Sequence, residues 1–519
     1  MFDLIPVSGW MAAVVTFGGY LLTLALVRWV LLLKKDSPAS TVAWIMAIVL
    51  IPYLGGLLFL VFGVNRVNRR AELKAIGDAR INAVTPSLEE HQAFPSESDQ
   101  EPDRTLMRLQ SAVGRFPAVR GNQVEVLDDT NRTLGLIRRE IESATSSIHL
   151  EYYIWKPDRT GTALRDLLIR KAGEGVKIRF LYDGIGSVWL TKRWLRPLRE
   201  AGAETASFLP GAAFRERWSL NLRNHRKIVV VDGRVAFAGG MNIGDEYLGL
   251  ARTGGWKQWF GKEAKERRGW WRDTHLRIEG PAALQLQQVF AEDWYFATGR
   301  ILGERASEDA QSDAAGNLDD FYPAPRMQGD AVVQCVPGGP SGPTPVGERS
   351  VPRGLPNLFF TAITSAQKSI DLTTGYFVPP LAIVQALEAA AWRGVRVRLL
   401  VPGVGGKPWT IFAGRSDYDV LLRAGVEIYE YAGGTLHAKT LTVDGTWSLV
   451  GSANLDARSF YLNFEIDLAL FDDLTAQRLA ERFDKDLEKA IAITPEDRAA
   501  RAHWRVLAEN FCRMFAPIF

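Results

Sequence analysis

The chain has 519 residues, 47% of them hydrophobic and 23% charged, with a net charge of +3. Such a length suits two or three domains and such a composition a folded protein, while the near-neutral balance gives no ground for a polyanion binder. Two cysteines, Cys335 and Cys512, exclude a disulfide scaffold, supply no metal-ligand spacing and suit a reducing compartment, while sixteen tryptophans favour interfaces, membrane ones included.

Residues 5–33 are almost wholly apolar, and a second apolar run covers 41–62. Each is long enough to cross a bilayer core, which takes about 20 residues. A cleaved signal peptide is the alternative, but the start MFDLIPVSG is not basic and no small-x-small site follows. Arg28, late in its run, is expected to snorkel beside Lys34 and Lys35. The loop KKDSPAS joins the runs into a transmembrane hairpin, so residues 1–70 are expected to be two membrane helices. The N-terminal tail has no basic residue, whereas Arg66, Arg69, Arg70 and Lys74 follow the second run. By the positive-inside rule the rest of the chain is expected in the cytoplasm. Residues 71–105 are polar, with PSESDQEPD (95–103) near their end, and are expected to be a linker with limited structure.

From residue 106 the chain repeats itself. SATSSIHLEYYIW (143–155) matches SAQKSIDLTTGYF (365–377), and AGEGVKIRFLYDG (172–184) matches AWRGVRVRLLVPG (391–403). LREAGAETASFLP (198–210) matches LLRAGVEIYEYAG (421–433). Last come NHRKIVVVDG (224–233) with AGGMN (238–242), and LHAKTLTVDG (436–445) with VGSAN (450–454). Within each unit, helical periodicity (163–172, 192–201) alternates with strand periodicity (176–182). The expected fold class is α/β: two tandem α-β-α sandwich halves, 106–325 and 326–519, each with a mixed, largely parallel sheet. A pseudo-twofold axis then brings equivalent residues face to face.

The shared motif is H-x-K-x-x-x-x-D-G. IVVVDGRVAF (228–237) reads as strand, Asp-Gly turn and strand. Alternate residues of a strand share a face, so His225 and Lys227 point one way, as do His437 and Lys439. Asp232 and Asp444 complete the catalytic motif, yet their parity and place at the turn suit an anchor. Gly240 and Asn242 follow the first motif, Ser452 and Asn454 the second, and small residues let a bulky anion approach the backbone. Two imidazoles, two ammonium groups, two amides and a hydroxyl suit a tetrahedral phosphate. Lysines and asparagines hold its oxygens, one neutral imidazole attacks phosphorus, and the other, protonated, protonates the leaving alkoxide. No cofactor is needed and no metal cluster is spelled out. Asp273 and Glu465 lie downstream, one in each half, and either can accept a hydrogen bond from an imidazole. His91, His149, His275 and His503 lack an equivalent in the other half and are expected to be structural or superficial.

These motifs resemble those of the phospholipase D superfamily. The N-terminal hairpin, IGDEYLG (243–249), WRDTHLRIEGPA (271–282) and NLDARSFYLNFE (454–465) are similar to bacterial cardiolipin synthases, over nearly the whole chain. The resemblance implies two phospholipase D-like halves. It implies that His225 is the nucleophile forming a phosphatidyl-histidine, and that His437 is general acid and then base. It implies that Lys227, Lys439, Asn242 and Asn454 bind phosphate. The implied reaction moves a phosphatidyl group between two phosphatidylglycerol molecules and releases glycerol. TTGYFVP (373–379) departs from TPYFVP of relatives, and VPGVGGKPW (401–409) lacks an aspartate often found there. These differences bear on the acceptor, so water, ethanolamine or serine stays open as an alternative. A nucleic-acid phosphodiesterase is disfavoured by the hairpin and the absence of a basic stripe, and a non-catalytic scaffold by two complete motifs. Residues 251–272 mix tryptophans with basic residues, as a loop at an anionic lipid interface does, or as a polar loop with buried aromatics.

Overall fold

Short apolar segments ending in Asp-Gly turns dominate each repeat, and they assemble into one continuous sheet. The computed structural model describes residues 9–33, 38–60, 67–95, 101–113, 115–208, 222–250, 271–302, 320–340, 354–405 and 408–516. The first half contributes β1 (Val119–Leu127), β2 (Ser147–Tyr152), β3 (Lys177–Asp183), β4 (Glu204–Phe208), β5 (Lys227–Val231), β6 (Val235–Gly239) and β7 (His275–Glu279). The second contributes β8 (Ala331–Gly338), β9 (Ser369–Thr373), β10 (Arg396–Pro402), β11 (Glu427–Tyr431), β12 (Thr440–Val443), β13 (Trp447–Gly451), β14 (Asn463–Phe471) and β15 (Ala490–Ile493).

The strand order is β15-β11-β10-β9-β12-β13-β14-β8-β1-β7-β6-β5-β2-β3-β4. Leaving β15 aside, equivalent strands sit at equal distances from the centre, where β1 pairs antiparallel with β8. The two halves expected from the repeat are therefore joined edge to edge. Apolar residues of β5, β6 and β7 pack in one cluster with Val450, Ile466, Leu468 and Leu470 of the second half.

The expectation of a largely parallel sheet needs correction. Only β2, β3 and β4, and likewise β9, β10 and β11, run parallel. The remaining neighbours are antiparallel. The reason is the turn: two residues of Asp-Gly reverse the chain, whereas a parallel partner needs a crossover of a dozen residues or more. Both turns have the predicted left-handed backbone, with φ of 52° and 63° at Asp232 and Gly233 and 54° and 77° at Asp444 and Gly445.

Residues Met1–Arg70 form a unit of their own. Helices span Gly9–Leu33, Pro38–Leu50 and Pro52–Leu58. The second apolar run is not the single helix expected over 41–62. Ile51 (φ −136°, ψ 72°) breaks it, because the ring of Pro52 disfavours a helical residue before it. Among the described residues no helix is long and apolar enough to cross a membrane. Leu26, Val30, Ile48 and Phe59 pack together, while Tyr20, Leu24, Leu31 and Leu50 are exposed. The stretch expected as a linker is also more ordered than its composition suggests: helices cover Val67–Asn82 and Glu101–Val113. Lys74 is buried there against Asp293 at 2.9 Å, in the long buried helix Pro281–Thr298.

Candidate active site

Each H-x-K motif enters the sheet through a short stretch paired with the opposite half. Arg223–Asn224 runs parallel to the start of β14, and the His225 amide donates to the Phe464 carbonyl at 2.8 Å. In the second copy Thr435–Leu436 runs parallel to Trp271–Arg272, and the His437 amide donates to the Arg272 carbonyl at 2.8 Å. The side chains repeat the exchange. His225 Nδ1 lies 2.8 Å from Glu465 Oε2, and His437 Nδ1 lies 2.7 Å from Asp273 Oδ2. Both predicted carboxylates thus hold a histidine, but each holds the one from the other half. A carboxylate on Nδ1–H fixes the tautomer and leaves Nε2 with its lone pair.

Lys227 opens β5, Lys439 immediately precedes β12, and both are buried. Each Nζ donates to the carbonyl of its own motif histidine. Burial, against the pull of the carboxylates, lowers Lys227 to about 7 and Lys439 to about 8, and the charge of Lys439 adds to the effect on Lys227. Burial also lowers both histidines to about 4, against the carboxylates that favour their protonated forms. Each lysine's charge acts on both histidines, which places the four groups in one site. Asp273 and Glu465 are held below the usual carboxylate range although burial opposes this, because their histidines and the lysines favour the anion.

The remaining expected site residues separate into groups. Asn454 is buried with an Oδ1 that has no hydrogen-bond partner among the described residues, and its Nδ2 is the donor it could offer to a phosphate oxygen. Asn242 is buried but engaged: its Oδ1 accepts from the Ile154 amide at 3.1 Å and its Nδ2 donates to Tyr247 at 2.6 Å. Gly240 and Ser452 were expected to face a substrate anion, and they face the carboxylates instead. A Cβ on Gly240 would fall 2.1 Å from Asp273 Oδ1. Ser452 Oγ donates to Glu465 Oε2 at 2.5 Å and accepts from the Ile466 amide at 3.0 Å.

Asp232 and Asp444, counted with the catalytic motif, lie at the far ends of their strands. Five residues of β5 put Asp232 roughly 15 Å from Lys227. Asp232 accepts from the amides of Thr145, Ser146 and Ser147, and Asp444 from those of Gln367, Lys368 and Ser369. Both anchor the entry of a neighbouring strand and neither joins the reacting face.

The sequence did not reveal the aromatic walls. The Tyr153 ring meets His225 edge-on at 4.8 Å, and Lys227 Nζ lies 5.4 Å from the same ring. Trp271 meets His437 at 5.1 Å. Arg226, the middle residue of the motif, is also buried, donating to the Glu465 carbonyl at 2.9 Å and pairing with Asp293. The aligned repeat carried a signal, since Tyr153 falls opposite Gly375. His275 has no histidine as its counterpart: it pairs with Gly239 where Asp467 pairs with Gly451. His149 stacks on Phe290 at 4.8 Å in the core. Residues 251–270 of the aromatic and basic loop lie outside the described residues. Among the described residues, no three or more His, Cys, Asp or Glu are placed to hold a metal ion.

The model of the "Cardiolipin synthase, PLD-like domain" family matches residues 137–252 and 359–487, which are the two halves of this site. A second model, "Phospholipase_D-nuclease N-terminal", matches residues 21–63. A cardiolipin synthase of a Geobacillus species is 37% identical, covering 95% of this chain and 91% of its own. One from Halalkalibacterium halodurans is 35% identical, covering 96% and 92%. The crystal structure of phosphatidylserine synthase from Haemophilus influenzae shares the fold, with a TM-score of 0.56 at 16% identity over 80% of this chain and 97% of that one. Two motif histidines, two crossed carboxylates and near-complete coverage at this identity lead to one conclusion: the chain belongs to the cardiolipin synthase family of phospholipase D-like proteins.

Proposed function

We propose that this protein is a membrane-bound phosphatidyltransferase that makes cardiolipin from two molecules of phosphatidylglycerol and releases glycerol. The observation that carries this is the pair of histidines, each fixed at Nδ1 by the opposite half's carboxylate. His225 Nε2 attacks the phosphodiester phosphorus as the P–O bond to glycerol breaks. His437 Nε2–H protonates the leaving alkoxide. A glycerol hydroxyl of the second phosphatidylglycerol then gives its proton to His437, attacks phosphorus and releases His225. Lys227, Lys439 and Asn454 hold the non-bridging oxygens in both steps, so positive charge meets the developing negative charge without a metal or cofactor.

The protonation states fit this sequence. Burial keeps His225 neutral, as a nucleophile requires. An anionic phosphodiester beside His437 favours the imidazolium, so substrate binding brings the acid's proton. Glu465 is further engaged by Ser452 and by Asn463 Nδ2 at 3.1 Å, which disperses its charge and keeps His225 less basic.

The exposed apolar residues of helices Gly9–Leu33 and Pro38–Leu50 support a multi-pass anchor in a bacterial inner membrane. The basic residues after it support a cytoplasmic catalytic body, with halves at about 106–325 and 326–519. Purified protein incubated with phosphatidylglycerol in mixed micelles should yield cardiolipin and glycerol in equal amounts, undiminished by a chelator. Phosphatidic acid in place of cardiolipin would mean that water is the acceptor and would overturn the proposal.

A further inference from the structure

The helix His503–Arg513 is mounted with its polar side inward. Glu509 is buried and pairs with Arg498 at 2.8 Å. Arg513 pairs with Asp417 at 3.0 Å and donates to the Pro379 carbonyl at 3.2 Å. The other side carries Trp504, Leu507, Phe511 and, just past the helix, Met514, which are 59–74% exposed. Their spacing of three, four and three residues makes one continuous stripe. A helix of a water-soluble body docks by its apolar face; this one does the reverse. Side chains of this size left in water lose the free energy that burial returns, so the arrangement suits a surface that meets an apolar phase.

Two further observations identify that phase. The helix packs on Pro408–Arg415, whose Thr410 and Ile411 line a cavity together with Gly375, Tyr376, Phe377 and Tyr418. Gly375 lies against Lys439 and Asn454 of the active site, so one helix separates the stripe from the chemistry. The exposed Arg505 guanidinium sits 5.5 Å from the Trp504 ring, a cation and an indole placed as at a headgroup layer. Trp409, in the same neighbourhood, is 49% exposed. In the first half Trp189, 68% exposed, follows β3, the parallel neighbour of β2, and so leaves the sheet on the edge where Tyr153 meets His225.

We propose that the helix His503–Arg513 lies in the lipid–water boundary and docks the catalytic body, active-site edge first, onto an anionic phospholipid surface. This rests on a phospholipid being the substrate, and it goes further by naming the surface through which that substrate arrives. The full chain, with Cys512→Ser and Leu507→Cys carrying an environment-sensitive dye, is reconstituted into phosphatidylglycerol vesicles. Dye at 507 should be quenched by shallow spin-labelled lipid and protected from aqueous iodide. Dye on Glu481→Cys, an exposed residue of the helix Asp473–Leu487, should behave oppositely. Access of iodide to position 507 would overturn the proposal, and so would protection from both quenchers, which would mean that protein covers the stripe: the N-terminal unit or a second copy. Leu507→Glu/Phe511→Glu should raise KM on vesicles about tenfold and leave turnover of dispersed short-chain phosphatidylglycerol unchanged. Equal kinetics on both substrates would overturn it as well. Because quenching needs no turnover, it stands or falls separately from the identity of the reaction.

Discussion

The two halves present the same histidine and lysine in different surroundings. His225 has an aromatic ring against it, and its carboxylate, Glu465, is shared with the Ser452 hydroxyl. His437 faces Trp271, its carboxylate Asp273 adjoins Gly240, and Gly375 stands where the first half has Tyr153. A serine hydroxyl donates to one carboxylate, whereas the other takes the Thr274 amide at 2.8 Å and has a glycine beside it. Duplication alone makes two like imidazoles; the substitutions around them are where the proposed division between attack and proton transfer can be tested.

The largest effects should come from the histidines themselves. His225→Ala and His437→Ala should each reduce turnover by about 10⁴-fold or more. A phosphatidyl donor whose leaving group needs no proton should separate them. His437→Ala should still form a covalent adduct in single turnover, His225→Ala should not, and equal behaviour would break the proposed division of labour. The carboxylates come next: Glu465→Gln and Asp273→Asn should cost about 10²- to 10⁴-fold, since the amide favours the wrong tautomer. Because the pairs are crossed, Glu465→Gln should suppress adduct formation at His225 and Asp273→Asn should spare it with the same activated donor.

Smaller effects should follow from the glycines. Gly240→Ala collides with Asp273 and should lose about 10²-fold through misplacement of His437. At Gly375 a Cβ would sit 3.1–3.2 Å from Asn454 and Lys439, so Gly375→Ala should lose several-fold, chiefly in KM. The pH profile sharpens the role of the lysines. Lys227 and Lys439 titrate at about 7 and 8, so kcat/KM should decline as pH rises through that window and phosphate-binding charge is lost. Histidines near 4 give no inflection between pH 7 and 8, and a kcat/KM profile without one would remove the lysines from phosphate binding. The smallest effect on catalysis should come from Asp232→Asn. It weakens the bonds to the 145–147 backbone and should cost about 1–2 kcal/mol of stability, leaving kcat and KM intact.

Much of this was legible in the sequence because the repeat writes each motif twice. The Asp-Gly turns, the shared face of histidine and lysine, and Asp273 and Glu465 as their partners all follow from period and spacing. The exchange between halves was harder to see, because no local pattern says which carboxylate meets which histidine. That depends on how β14 and the Trp271–Arg272 stretch pack against the opposite motif, a tertiary matter. Gly240 and Ser452 misled for a related reason: a small residue makes room for any bulky anion, and here the anion is the protein's own carboxylate. The mixed sheet was obscured because a hairpin strand and a crossover strand carry the same apolar runs.

The crossed carboxylates also set a clock on biosynthesis. Glu465 follows His225 by 240 residues, so a nascent chain that has released its first motif from the ribosome carries an unoriented, untuned imidazole. Its apolar N-terminal helices emerge long before either crossed pair can form. A truncated product that keeps the first half intact would carry His225 without the carboxylate that holds it. A copy that ends before Glu465 therefore lacks a crossed pair by topology alone.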